Sequence, residues 1–515
     1  MGVNNISIIN SAYSALEAAS AGMTVTSQNV AGASVEGFTR RQSNSIVSHR
    51  ALNSWDFGNT AFSVEGFSRF TDGLLDSQMR DQKSKSSYTS SLLQTVNGLD
   101  TAMMDPSNSI ADSMSSFFNA AGTLASDTSS TTNIQNFAAS ATQVATRIST
   151  FSDTISQLDS SARANLTAIL DQANTIAPAL AKINLNILMG SVPGNATPSA
   201  DILDERDRLT MQLQDLLGGK TIINADGTAT FQIGGMALVD GQTANQFVNT
   251  DVSTSVYNVQ LQSGDGLKHN IGFLSSVGAT LTKVGGGTYQ APAKTAFTGG
   301  QAGAAFTILT DFIPKLQRQV SSVALAFTRD VNTVKQEDGT TGITPIFGYK
   351  NTTTNGPSVI TTTPAAIGTY TATQLMDMSD PTSANYDANV AAIVNGASWD
   401  PNLFVSNIAP GTNTVLSIDS TAANAIEGKR SSFSTPLSLI TSNVASTIAS
   451  WKAQDNANVT ITTQLNNRKQ SISGVNLDEE AANLVKFQQL YGAASKVMQT
   501  ANQMFATLLS AMNAA

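Results

Sequence analysis

The sequence has no cysteine and only two histidines, His49 and His269. The first absence excludes a disulfide framework, thiolate metal sites and cysteine nucleophiles together. The second excludes a multi-histidine metal centre within one chain, and the two histidines read as surface or loop residues rather than a catalytic pair. Charge is scarce as well: Asp, Glu, Lys and Arg make up 13% of the chain, against about 25% in an ordinary soluble domain. The net charge is −9, with the excess acid in the middle and nearly neutral ends. A basic stripe of the kind that holds nucleic acid is therefore not expected. No run of 18 apolar residues occurs, so no membrane insertion is expected. The first basic residue is Arg40, which leaves the N-terminus without the charged flank of a cleavable signal.

In place of charge the chain is rich in Ser, Thr, Asn, Gln, Ala and Gly, spread over 515 residues, enough for roughly two to four domains. Its strongest patterns lie at the ends. Ile9, Leu16, Met23 and Val30 recur every seven residues and predict an amphipathic helix that stops in the turn-rich stretch before Gly37. At the other end Leu477, Leu484, Tyr491, Met498, Phe505 and Met512 form an unbroken series, with Phe487, Ala494, Ala501 and Leu508 interleaved. A helix apolar over so much of its circumference needs partners on more than one side. The two ends are expected to pair, and neighbouring subunits to cover what remains. Between them, Ile134 to Ile187 holds 3–4 spacing long enough for helical shafts, with Pro178 expected to kink or break the run.

These patterns predict an α+β multidomain chain with a long helical shaft, paired N- and C-terminal coiled-coil helices and β-rich inserted outer domains. Residues 1–40 with 475–515 are expected to form a terminal assembly unit. Residues 41–219, 301–340 and 431–474 are expected to form the shaft, with 220–300 and 341–430 as β-rich inserts.

Nothing catalytic emerges. Leu217-Gly218-Gly219-Lys220-Thr221 imitates the end of a phosphate-binding loop, but the required upstream glycine is Gln214, so the segment reads as a helix cap followed by a strand. Asp204, Glu205 and Asp207 alternate with Arg206 and Arg208 and read as a solvated ion-pair face rather than as acid–base groups or metal ligands. Asp226-Gly227 and Asp338-Gly339 lack the alternating acids of a calcium loop and read as turns. No cofactor is expected.

Ser14 to Ala19, Val25 to Ala31 and Glu36 to Gln42 resemble the N-terminal signature of flagellar rod, hook and hook-associated proteins. The run Ser473 to Leu484, with Phe487-Gln488-Gln489, Tyr491, Val497 to Ala501 and Met504-Phe505, resembles the hook-associated protein 1 family. So does Leu203-Asp204-Glu205-Arg206-Asp207-Arg208-Leu209. Gln28 replaces a second Asn, Val35-Glu36 replaces Thr-Pro, and Phe38 replaces Tyr, while Gly37 is kept to supply a positive φ. The resemblance implies a structural, non-enzymatic role at the junction of flagellar hook and filament, extracellular, reached through the flagellar type III apparatus. It implies as partners further copies of the chain in a ring, the hook protein, the second junction protein and a cytoplasmic export chaperone on the C-terminal helix. The filament cap, the second junction protein and the hook protein are the nearer rival readings. A secreted adhesin is the remoter one.

Overall fold

The computed structural model describes residues 2–35, 37–49, 60–104, 109–190, 199–250, 256–275, 281–282, 288–289, 295–339, 345–351, 359–408 and 418–513. It opens with helix α1 (Gly2–Gly32), followed by the antiparallel strands β1 (Arg41–His49) and β2 (Thr60–Arg69). The shaft is built from α2 (Gly73–Met104), α3 (Ile110–Ser126), the 60-residue α4 (Thr131–Gly190) and α5 (Ala200–Leu217). It continues in α6 (Gly300–Thr307), α7 (Ile313–Asn332) and α11 (Arg430–Ser473), and α12 (Leu477–Asn513) closes the chain.

Periodicity becomes packing along α4. Phe137, Val144, Ile148, Ile155, Leu166, Ile169, Ala173 and Leu180 are all buried on one stripe, facing α3, α5 and α7. Pro178 does not break the helix, correcting one half of the expectation: α4 runs through it to Gly190. An aromatic cluster joins α3, α4, α7 and α11, with Phe117 edge-on to Phe327 at 5.5 Å and Phe327 edge-on to Phe433 at 5.3 Å. A π turn at Ile308–Phe312 joins α6 to α7 just before Pro314, where the missing proline N–H disturbs the regular ladder. The long α11 lies on α2 largely through polar groups. Thr89 Oγ1 donates to Asp455 at 2.8 Å, Gln82 Nε2 to the Asn458 side chain at 3.0 Å, and Lys469 pairs with Asp76 at 3.5 Å. Here the Ser/Thr/Asn/Gln-rich composition serves helix packing.

Between α5 and α6 every described element is a strand. The chain forms the meander β3 (Lys220–Ile223), β4 (Ala229–Ile233), β5 (Met236–Asp240) and β6 (Thr243–Ala244). A second sheet holds β7 (Gln246–Thr250), β8 (Val256–Gln262) and β9 (Lys268–Ser275), and a short pair holds β10 (Leu281–Thr282) and β11 (Thr288–Tyr289). Gly218 caps α5 with φ +66° before β3 begins, as the sequence suggested, and Gly227 and Gly339 take the positive φ of turns. His269 is exposed but lies in β9, and His49 ends β1; neither sits in a loop.

Two expectations fail in detail. The 341–430 insert is not β-rich among its described residues. It has one small sheet of β12 (Phe347–Lys350), β13 (Val359–Ile360) and β14 (Phe404–Ser406), but also α8 (Ala372–Ser379), α9 (Ala388–Val394) and α10 (Ser420–Gly428). These helices run only 7–9 residues, too short to display a period. Their signal is in their caps: Thr371 with Gln374 forms a capping box, and Asp387 and Asp419 accept from the first-turn N–H groups. The β1–β2 hairpin lies in a stretch expected to be helical shaft. Seven of the nine residues of β1 (Arg41-Gln42-Ser43-Asn44-Ser45-Ile46-Val47-Ser48-His49) are polar, and its two apolar residues are adjacent, which hides the alternation that marks a strand. The Pro- and Gly-containing segment Ser191 to Pro198, whose composition marks a loop, lies outside the described residues.

Candidate assembly interface and its anchor

Helices α1 and α12 pair along their length, but not through the large heptad residues. The buried positions include Ala12, Ser14, Ala19, Gly22, Val25 and Thr26 on α1 and Ala494 and Ala501 on α12. Gly22 lies under the ring of Phe487, so close that a Cβ there would come within 2.5 Å of it. Small residues let two helices approach, and the large side chains then flank the contact rather than fill it. Ile9, Leu16 and Met23 are accordingly half-buried and Val30 is exposed. On α12, Leu484, Phe487 and Met498 are half-buried, while Tyr491 and Phe505 are exposed. Leu508 and Met512 lie on α12, with side chains outside the described set. An open apolar stripe results, formed by Val485, Leu490, Tyr491, Val497, Met504, Phe505 and Leu509, each 44–51% exposed.

The root of this pair is anchored by charge. Asn29 ends the packed face of α1, and its side chain both donates to the Arg41 carbonyl at 3.0 Å and accepts from the Arg41 N–H at 2.9 Å. This double bond folds the chain back across the turn in which Gly37 takes φ +85°. The two arginines that follow then diverge. Arg40 donates to Glu480 at 2.9 Å and to Glu479 at 2.7 Å on the first turn of α12, and its N–H donates to the Ser473 carbonyl at 3.1 Å. Arg41 reaches Asp201 at 2.5 Å and Asp204 at 3.4 Å on α5, and also donates to Gln28 at 3.2 Å. Glu480 is buried, its side chain only 2% exposed. The acids of this turn therefore do more than complement the helix dipole.

Asp204, Arg206 and Asp207 are not a solvated face, which corrects the reading of the Leu203–Leu209 run. Arg69, at the end of β2, bridges Asp204 at 2.7 Å and Asp207 at 2.9 Å, and Thr39 donates to Asp204 at 2.5 Å. Arg206 is buried, pairing with Asp207 and donating to the Gly227 carbonyl at 2.5 Å. Only Glu205 and Arg208 form the exposed pair expected of the whole segment. Leu203 is half-buried beside them. Asp204 and Asp207 each meet more than one donor, the condition under which a partly buried charge cluster is tolerated, while Arg41 Nε is left buried without a partner. Hydrogen bonding to Glu479 raises the Arg40 pKa, opposed by burial and helped by Glu480. Burial lowers Arg69, but Asp207 and Asp204 outweigh it and leave it raised.

The sequence singled out Asp204 to Arg208 but not Arg41 and Arg69 as their partners, nor Asn29 as the partner of Arg41 or Glu480 as that of Arg40. The available signal was that Asn29, Arg41 and Glu480 stand inside the end motifs of a chain otherwise poor in charge; Arg69 lies outside them and had none. Among the described residues no helix is long and apolar enough to cross a membrane, and no cluster of His, Asp and Glu is arranged to hold a metal.

Terminal helices paired at the two chain ends, a helical shaft, strand-built inserts and an open apolar stripe define a subunit of the structural, self-associating class. Residues 96–344 match the family model of the flagellar hook-associated protein FlgK helical domain, and residues 469–511 match that of the flagellar basal body rod FlgEFG protein C-terminal region. Flagellar hook-associated protein 1 of Escherichia coli K12 is 24% identical over 98% of this chain and 99% of its own length. That of Bacillus subtilis 168 is 23% identical over 98% of each. A solved structure of the flagellar hook junction protein FlgK from Burkholderia pseudomallei aligns with a TM-score of 0.42 and 20% identity, covering 53% of this chain and 46% of that one. Residues 96–344 thus form a FlgK-type helical domain, and over nearly its whole length the chain is similar to flagellar hook-associated protein 1, whose representatives are structural proteins of the flagellum and not enzymes.

Proposed function

We propose that this chain forms a ring of identical subunits at the hook–filament junction, outside the cell, between the hook protein and the second junction protein. Residues 1–40 with 475–515 act as the assembly unit, its interface residues being Ile9, Leu16, Met23 and Val30 on one helix and Leu484, Phe487, Tyr491, Met498, Phe505, Leu508 and Met512 on the other; Phe487 holds the pair together against Gly22, and exposed Val30, Tyr491 and Phe505 are left for neighbouring copies. The observation that carries this reading is the open stripe of α12. Burying the exposed half of its seven large side chains contributes roughly 5–10 kcal/mol per copy, at half of about 1.5–3 kcal/mol each. A monomer rarely leaves so long an apolar face in water. The relatives named hook-associated protein 1 support the same position.

The chain travels through the flagellar type III apparatus, and its terminal helices complete their folding on assembly. The scarcity of large buried side chains between α1 and α12 supports this, because the pair gains little from burial until neighbours arrive. Before export, the stripe on α12 is the surface a cytoplasmic chaperone must cover.

Immunogold labelling of isolated hook–filament structures tests the position. A band at the distal end of the hook is the expected result. Label at the filament tip makes the protein a cap, and label on the cell surface away from flagella makes it an adhesin.

A further inference from the structure

A cleft of about 690 Å³ opens at the joint between the terminal pair and the shaft, within the roughly 300–1,000 Å³ typical of binding sites. It is lined by the turn after α1 (residues 32–39), by α2 (76–83), by α5 (207–215) and by the end of α11 with the turn that follows (466–475). Its charged side chains are almost all spoken for. Asp76 pairs with Lys469 at 3.5 Å, Lys83 with Asp215 at 3.3 Å, Asp207 with Arg69 and Arg206, and Arg208 with Glu205. Arg80 is the exception. It is 7% exposed, it lines the cleft, and among the described residues no carboxylate comes within ion-pair distance of it. Its nearest acids are committed elsewhere: Asp81 accepts from Gln214 at 3.1 Å, and Asp76 and Asp207 hold the partners just named. Burial lowers the Arg80 pKa, and Asp207 and Asp76 only partly offset it.

A buried guanidinium without a hydrogen-bonded anion is costly to keep. Its planar fork is suited to a carboxylate. We propose that the cleft receives an acidic side chain from a neighbouring copy of this chain, with Arg80 binding its carboxylate. The occupant is a second copy because the rim continues the assembly face. Exposed Val35 stands in the lining turn, exposed Leu74 lies two residues before Asp76, and exposed Leu477 two residues after Val475. These side chains would shield the incoming carboxylate from water. The chain also carries surplus acid outside its nearly neutral ends, at a net charge of −9. This inference rests on the ring reading and adds to it the contact that closes the joint.

The test uses the full chain assembled on hook–filament junctions, from a mixture of two isotopically labelled preparations. R80K keeps the charge and adds an amine that a zero-length carbodiimide can couple to an adjacent carboxylate. The expected product is an amide between position 80 of one copy and an Asp or Glu of another, recognised by its mixed isotopic mass. R80M removes the charge. It is expected to assemble about tenfold or more weakly while the monomer melts no lower than wild type, because it loses an unpaired buried charge. Coupling only within one chain, to Asp76, Asp81 or Asp207, overturns the proposal. So does coupling to a different protein, no coupling at position 80 in rings that do form, or wild-type assembly by R80M. Failure of wild-type, R80K and R80M chains alike to reach the junction instead removes the ring reading itself.

Discussion

The pair Arg40–Glu480 gives the sharpest test of how the terminal helices are fastened. Replacing Arg40 by Met strands the Glu480 carboxylate, whose side chain is 2% exposed, without its cation. Removing one partner of a buried pair costs about 3–5 kcal/mol. Arg40 is itself 20% exposed, so the lower figure applies, and about 3 kcal/mol corresponds to roughly 150-fold in an opening equilibrium. Glu480→Gln is milder, because the amide oxygen still accepts from Arg40 Nε and Glu479 still holds the guanidinium. It costs about 1 kcal/mol, or roughly fivefold. The double variant leaves no buried charge and falls well short of R40M alone. Hydrogen–deuterium exchange over residues 473–484 in assembled junctions reads this order, with the buried stripe of α4 as internal reference. If R40M exchanges no faster than E480Q, or the double variant is as fast as R40M, the anchoring argument is wrong.

Gly22→Val drives a branched side chain into the Phe487 ring, where even a Cβ would come within 2.5 Å. The α1–α12 contact weakens by about 1–3 kcal/mol, and adding Phe487→Ala restores part of it, both read from exchange of α1 peptides. Phe505→Asp leaves the thermal transition of the shaft unchanged within about 0.5 kcal/mol and abolishes assembly; normal filaments on a strain carrying it refute the role given to α12. Burial pushes the Tyr349 hydroxyl far above its ordinary value near 10. The folded state therefore holds it neutral, and its contribution to stability is intact below pH 10 and declines as pH rises beyond that. Ultraviolet titration should show one of the eight tyrosines ionising only with unfolding, and reversible ionisation of all eight in the native chain contradicts that burial.

Long elements were legible because one physical period repeated many times. The stripe from Phe137 to Leu180 needed no tertiary information, since only a helix places those residues on one side. Short elements were not. The helices at 372–379, 388–394 and 420–428 each contain about two turns, and only their capping residues mark them. The β1 strand fails the same test for a different reason: its alternate residues differ too little in polarity. Pro178 misled because helices tolerate proline when tertiary packing outweighs one lost hydrogen bond. Its neighbours Ala177 and Leu180 are fully buried.

At the candidate interface the sequence showed which helices matter but not which faces meet. Heptad reasoning assigns large residues to the shared seam, whereas the contact is made by Ala12, Ala19, Gly22, Ala494 and Ala501. Composition alone does not rank a close contact between small residues above a wider one between large residues. The charge anchor was illegible for a simpler reason. Arg41 and Asp204 are 163 residues apart, and Arg40 and Glu480 are 440 apart, so no local pattern connects them.

The divergence of Arg40 and Arg41 bears on how such a joint works. One fastens the first turn of α12 and the other fastens α5, so a single dipeptide ties the root of the terminal pair to both. A packed apolar joint would hold the angle more steeply, because dispersion contacts lose a quarter to a half of their energy over a gap of about 0.5–1 Å. Coulomb attraction falls only as the inverse of distance, so a charged joint keeps most of its hold through shifts of the same size. Arg69, shared between Asp204 and Asp207, adds a second acceptor on which the grip can settle. Such a distribution of forces fixes a direction yet yields slightly, which suits the junction position proposed above.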